Sequence, residues 1–261
     1  MRRRAMPVNG FSTVEIAQFE RTGYVIARGL AMPHTLNRML TLAREYLQTQ
    51  AAPLEYEADL NYPGAPISRD APGGRTVRRL LQAYARDAVF REWATSDTMR
   101  TRLAPLLGRE VRLSQAHHNC IMTKSPRYSS LTGWHQDIRY WAFERPELVS
   151  VWLALGSERR ENGCLLVVPG THTMEFAADR LDAAKFLRTD LEENRALLRS
   201  AVAAELDPGD ALFFHCRLFH AAGRNRTQSI KYSLVFSYHE AGNRPLPGTR
   251  SSALPDIALE G

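Results

Sequence analysis

From Glu110 to Tyr238 the sequence repeats one arrangement, in which a short run of β-branched, aliphatic or aromatic residues is followed by a turn. The runs begin at Val111 and Leu113 and at His117 to Thr123. They continue through Gly133 to Trp141, Leu148 to Leu155, Leu165 to Val168, Ala211 to His215 and Ile230 to Tyr238. Asn162-Gly163, Pro169-Gly170 and Pro208-Gly209-Asp210 supply turn chemistry between them. Many short strands in succession with Gly/Pro turns point to a β-sandwich or barrel-like roll. A charged stretch, roughly 177 to 203, reads as one helical insertion.

The N-terminal part has a different period. Ser12-Thr13-Val14-Glu15 has the spacing of a capping box, so a helix starts near residue 13 and stops at Gly23, before a strand at Tyr24 to Ala27. Pro33 suits a first helical turn, and Leu36, Met39, Leu40, Ala43 and Leu47 form a core-facing stripe to about Gln50. Residues 51–75 carry five prolines or glycines from Pro63 to Gly73 and read as a long loop, a type that is often functional. One or two helices follow between Asp87 and Leu107, with Ser96 and Asp97 as an internal cap and Gly108 as the stop. The first hundred residues are therefore expected to be mostly helical support.

Composition excludes several function classes. A chain of 261 residues with 44% apolar and 24% charged content is an ordinary globular protein, and no run approaches a membrane span. Met1-Arg2-Arg3-Arg4 is basic, but Pro7, Asn9 and Gly10 stand where a signal peptide needs its apolar region, which favours a cytoplasmic location. Cys120, Cys164 and Cys216 are odd in number and far apart, so neither a disulfide framework nor a structural zinc site is expected. Cys216 beside His215 is the thiol to watch. The net charge of +6 is scattered among acids with no basic block, so nucleic acid is not an expected partner; a basic surface or an anionic small substrate explains the charge.

Within the strand-rich region stands Trp134-His135-Gln136-Asp137. In an extended strand His135 and Asp137 share a face about 7 Å apart, with Gln136 opposite. One imidazole and one carboxylate leave a divalent ion short of ligands. A second His would complete the two-His, one-carboxylate set of non-haem Fe(II) oxygenases, which leaves three positions open. Of the eight histidines, His220 has the best context. It lies late in the β region, where a strand can return beside the first, and the small residues Ala221, Ala222 and Gly223 after it leave room for a ligand.

With these stretches in place, the chain resembles the phytanoyl-CoA dioxygenase family of Fe(II)- and 2-oxoglutarate-dependent oxygenases. The resemblance rests on Trp134 to Asp137, Glu161-Asn162-Gly163-Cys164-Leu165, Val168-Pro169-Gly170-Thr171-His172, Gly209 to His215, and His220 through Asn225-Arg226-Thr227-Gln228. Phe19 to Tyr24 is similar to the family's N-terminal helix and strand. The likeness implies a mainly β fold with α support, a double-stranded β-helix (jelly-roll, cupin-like) core, N-terminal helices and one helical insertion. It implies a single dioxygenase domain over 12–240, flanked by a basic tail at 1–11 and a C-terminal extension at 241–261. Fe(II) would be held by His135, Asp137 and His220, with 2-oxoglutarate and O₂ as co-substrates. The carboxylate at Asp137 favours hydroxylation, because related halogenases carry a small residue there.

The resemblance also directs attention to the distal carboxylate of 2-oxoglutarate. The family usually places an Arg eleven positions beyond the distal His, and here that position is Lys231, on one strand face with Ser233. An ammonium on a flexible stem does not reproduce a guanidinium's bidentate grip. Trp152 and His118 are further cofactor contacts implied by the likeness; Tyr140, Trp141 and Phe143 are candidate substrate walls, as are Arg78, Arg79 and the 51–75 loop. His172 reads as a turn residue. The implied function is hydroxylation of an unactivated C–H bond of a small, anionic metabolite or acyl thioester, with succinate and CO₂ as co-products, in a monomer or homodimer. Two alternatives stand beside it: a catalytically silent metal-binding or regulatory protein on this fold, and a cupin-like metalloenzyme that does not use 2-oxoglutarate.

Overall fold

The computed structural model describes residues 10–60 and 62–260. Most of the basic 1–11 tail therefore lies outside the described residues. Helix α1 (Thr13–Thr22) begins as the local code dictates: the Ser12 side chain accepts from the Glu15 amide, and the Glu15 carboxylate accepts from the Ser12 amide at 2.8 Å. Gly23, at φ +81°, ends it and turns the chain into β1 (Tyr24–Ala27). Helix α2 (Pro33–Gln48) follows, with Leu36, Met39, Leu42 and Ala43 buried along one face.

Two strands then depart from expectation. The 51–75 stretch is not wholly irregular, for it contains β2 (Leu54–Tyr56) and a short turn of 3₁₀ helix at Glu57–Asp59. β3 (Val77–Leu81) lies where helical support was expected. Its Arg78 is buried because Glu57 and Ser130, distant in sequence, bond its guanidinium. The short helices α3 (Ala83–Arg86), α4 (Ala88–Ala94) and α5 (Asp97–Leu107) come next, α5 capped by the Ser96 side chain as expected.

The remaining strands are β4 (Val111–Lys124), β5 (Thr132–His135), β6 (Leu148–Ala154), β7 (Leu165–Val167), β8 (Val202–Ala203), β9 (Ala211–His215), β10 (His220–Ala222), β11 (Lys231–Glu240) and β12 (Ile257–Ala258). All pair antiparallel, forming an eight-stranded sheet in the order β1-β9-β6-β11-β4-β3-β2, with β12 also on β4, and a four-stranded sheet in the order β5-β10-β7-β8. This is the expected jelly roll. Helices cover the outer face of the larger sheet, where Phe213, Phe236, Leu234 and Tyr238 pack against Met39, Phe90 and Met99. The inner face, with Trp152, Leu212, Phe214 and Val235, packs against Leu165 and Val167 of the smaller sheet. With both faces covered, β11 is buried from Lys231 to His239, including the polar Lys231, Ser233, Ser237 and His239 of one face.

The 177–203 insertion is a correction. Its one α-helix is the seven-residue α6 (Glu192–Leu198); the rest is turns, a 3₁₀ helix at Ala178–Arg180 and the two-residue β8. Leu181 and Leu187 bridge across a turn organised by Asp182, and the Leu187 amide bonds Trp134 O at 2.8 Å, so the segment drapes over β5 instead of forming a helical layer. Beyond 240 the chain folds back: β12 pairs with β4, and the Ser251 hydroxyl lies 2.7 Å from His117 Nε2. Among the described residues, no helix is long and apolar enough to cross a membrane.

One turn is held by a single carboxylate. Asp210 accepts from the amides of Gly29 (2.8 Å) and Asp207 (2.9 Å) and from Arg28 Nη1 (2.6 Å). Burial pulls its pKa upward, but these bonds outweigh it and the net shift is below 3.8. Asp210→Ala is expected to cost about 1–3 kcal/mol at neutral pH. Because the folded-state pKa is the lower one, that contribution is present above 3.8 and is lost as pH falls through the folded value. Urea melts of wild type and variant should converge only in strong acid; a gap independent of pH would contradict the assignment.

Candidate active site

The His-x-Asp pair spans the end of a strand rather than its middle. β5 stops at His135, Gln136 remains extended, and Asp137 opens a 3₁₀ turn, Asp137–Tyr140. The turn arises because Gln136, on the opposite side from the pair, donates to Arg217 O at 2.5 Å while the Ile138 amide bonds Cys216 O at 3.1 Å. Both bonds tie the motif to the segment between β9 and β10. That segment is pinned in turn, since the Phe219 amide donates to the Thr171 hydroxyl at 3.0 Å. β10 thereby lies on β5 with His220 directly opposite His135.

The result is a compact donor set. One ligand atom from each of His135, Asp137 and His220 lies within 4.8 Å of the others. Asp137 Oδ1 is 3.8 Å from His135 Nε2 and 3.6 Å from His220 Nε2. His135 Nδ1 donates to Gly133 O at 2.8 Å and His220 Nδ1 to Leu218 O at 3.0 Å, which leaves both Nε2 lone pairs facing the same space. Burial, then His220 and Arg139, hold the His135 pKa well below the usual histidine value, so the ring is neutral, as a metal requires.

Around this set stand Ser150, which the sequence did not reveal, and His118, which the family likeness had pointed to. Ser150 of β6 donates to Asp137 Oδ2 at 3.1 Å, which frees Oδ1 for the metal side. His118, in a four-residue bulge of β4 where the register with β11 slips, lies 3.2 Å from the same hydroxyl and 3.5 Å from Asp137 Oδ2. Its pKa is pushed down to about 4, chiefly by burial. Ser150→Ala is expected to weaken Fe(II) binding roughly 10-fold, as loss of a carboxylate's supporting hydrogen bond does. Competition with a metal-sensitive dye measures it, and unchanged affinity would remove Ser150 from the site.

The donors open into a cavity of about 450 Å³. Arg78, Arg79, Tyr140 and Trp141 line it as expected, but Phe143 does not; it packs with Leu148 and Cys216. Cys216 is itself inert, with its Sγ donating to Pro146 O at 3.2 Å and burial pushing the thiol up to about 12. His172 sits in a turn, 3.1 Å from Glu20 O, outside the cavity. Lys231 and Trp152 line the cavity and the fully buried Ser233 does not, but all three bond one buried acid that no motif announced. Glu158 accepts from Lys231 Nζ at 2.9 Å, Ser233 Oγ at 2.5 Å and Trp152 Nε1 at 2.7 Å.

Two imidazoles and a carboxylate that converge inside a jelly roll and open into its cavity define a non-haem iron oxygenase. The chain belongs to the phytanoyl-CoA dioxygenase (PhyH) family, whose sequence profile matches residues 19–233. It is thus an Fe(II)- and 2-oxoglutarate-dependent dioxygenase with O₂ as co-substrate, and its donor set fits that iron. It is 25% identical over 229 residues to a probable phytanoyl-CoA dioxygenase of Caenorhabditis elegans, covering 84% of this chain and 72% of that protein. It is 24% identical over 250 residues to the ectoine dioxygenase of Sphingopyxis alaskensis, covering 89% and 77%. The crystal structure of EctD from S. alaskensis with 2-oxoglutarate and 5-hydroxyectoine shares the fold, with TM-score 0.76 and 21% identity over 94% of this chain and 82% of that one. The epimerase SnoN, in complex with Fe³⁺, α-ketoglutarate and nogalamycin RO, superposes at TM-score 0.72 with 21% identity, covering 95% and 98%.

Proposed function

We propose that this protein hydroxylates an unactivated C–H bond of a small anionic metabolite or acyl thioester, releasing succinate and CO₂, with His135, Asp137 and His220 as the iron ligands. The observation that carries this reading is the convergence of the three ligand atoms, within 4.8 Å, on a cavity large enough for a metabolite beside a 2-oxoacid. Iron and 2-oxoglutarate, when bound, supply oxygen activation and the hydrogen-abstracting power.

The protein's own residues hold and orient. The carbonyls of Gly133 and Leu218 keep each Nδ1 protonated, so each Nε2 is available without a proton to lose. The Phe186 ring of the draped insertion packs 5.8 Å from the His135 ring, with the Arg139 guanidinium 3.6 Å above Phe186, and both keep water from that side. Lys231, Ser233, Trp152 and His118 are the proposed 2-oxoglutarate contacts. Support for an anionic substrate comes from Arg79 and Arg250, two cations on the cavity wall.

The test has two stages. Anaerobic Fe(II) and 2-oxoglutarate should give the metal-to-ligand charge-transfer colour of this class. A panel of carboxylated, phosphorylated and CoA-linked metabolites should then yield a compound that triggers succinate release. Absence of colour in protein retaining its iron would sink the reading; colour without any triggered succinate would favour a silent binding protein.

A further inference from the structure

The buried charges along one cavity wall do not balance. Arg78 pairs with Glu57 at 3.2 Å, and Lys231 pairs with Glu158 at 2.9 Å. Lys124, at the end of β4 and directly opposite Lys231 in the β4/β11 register, has no such partner among the described residues. Its Nζ meets only a backbone carbonyl, Ser130 O at 3.2 Å, although the residue is just 7% exposed. Its stem is held in place. Gly163 lies so close that an added Cβ would stand 2.8 Å from Lys124 Cδ and Cε, and 2.5 Å from Gly223 O. Of the buried bases Arg78, Lys124 and Lys231, Lys124 is thus the one without a carboxylate partner, in a cavity whose own buried acid, Asp137, belongs to the donor set with His135 and His220.

A buried ammonium without an anion is costly, and the cost is removed when a ligand brings one. The reaction supplies such a ligand, because 2-oxoglutarate carries a second carboxylate away from its metal-binding end. We propose that Lys124 receives this distal carboxylate, with Lys231 as the second cation and Glu158 as the counter-ion that lets two ammonium groups share one site. This rests on the reading of the site as an iron and 2-oxoglutarate centre. It also explains how the chain manages without the family's Arg: two point charges on adjacent strands replace one bidentate fork.

The groups facing Lys124 are Arg78 on β3, Lys231 on β11, Glu57 after β2 and Glu158 after β6. Burial first, then Arg78 and Lys231, push its pKa down to about 7, against the two acids. A bound carboxylate favours the ammonium and raises that value again. Binding above about pH 7 therefore takes up a proton, and affinity falls as pH rises.

The test compares two oxoacids on iron-loaded protein without O₂, following the charge-transfer band. 2-Oxoglutarate has the distal carboxylate, whereas 2-oxopentanoate lacks it. Lys124→Met is expected to weaken 2-oxoglutarate binding roughly 10- to 100-fold while leaving 2-oxopentanoate affinity unchanged, the latter serving as the control for an intact fold. The variant's residual 2-oxoglutarate affinity should also lose the wild-type decline between about pH 7 and pH 9. Unchanged 2-oxoglutarate affinity in Lys124→Met, or equal weakening of both oxoacids, would overturn the inference. A wild type that gives no band with 2-oxoglutarate while holding iron would overturn the site assignment itself, and the inference with it.

Discussion

Asp137→Ala is expected to lower substrate-triggered succinate release by on the order of 10³-fold or more, because it removes the one anionic donor of the proposed iron site and leaves two imidazoles. The loss should be specific to chemistry rather than folding. Asp137 is 2% exposed and its Oδ2 accepts from Ser150, but that hydroxyl also lies 3.2 Å from His118 Nδ1 and 3.4 Å from Ser237 Oγ, so it retains partners when the carboxylate is gone. Apo-protein melting should therefore move by no more than about 1 kcal/mol. Asp137→Glu keeps the charge but displaces the oxygens by one methylene, and about 10²-fold loss is expected from misplacement alone. Iron content, the charge-transfer band and succinate release, measured on the same samples, separate metal loss from loss of turnover. Full activity in either variant would mean that the metal is held elsewhere.

The second large effect is on stability. Glu158→Ala leaves Lys231 buried without its counter-ion and takes the acceptor from Ser233 Oγ and Trp152 Nε1 together. The Lys231 and Glu158 side chains are 4% and 1% exposed, so solvent cannot take over. Breaking one partner of such a pair costs about 3–5 kcal/mol, which is roughly 10 °C in melting temperature for a chain of this size. Removing both charges is a different experiment. Glu158→Leu combined with Lys231→Met should recover most of the loss, since an apolar pair of similar volume carries no unpaired charge. A double variant as unstable as Glu158→Ala would show that packing, not charge, holds this corner.

Much of the fold was legible because the signals are local. The Ser12/Glu15 box and Gly23 define α1 within a dozen residues, and the strand runs from Val111 onward lie within a residue or two of β4, β6, β7, β9 and β11. β3 was not legible. Its Val77-Arg78-Arg79 start reads as exposed until Glu57 and Ser130 are brought to Arg78, and no local rule does that. The 177–203 insertion failed for a related reason: its charged residues suit a helix in isolation, but Asp182 instead bonds the amides of Ala184 and Phe186 and closes a turn against β5.

For the candidate site, the three donors that converge are the ones the sequence singled out, because a His-x-Asp pair needs one further His to complete a metal site and His220 follows a strand that can return to it. What sequence could not supply is which charges meet. Lys231 looked like a free cation until Glu158, 73 positions away, was folded onto it, whereas Lys124 looked like any other lysine until burial left it alone. Residue chemistry and strand period are properties of short stretches and determined the class of protein; the pairing of buried charges depends on contacts between distant strands, where desolvation sets the energy, and only the tertiary structure decided it.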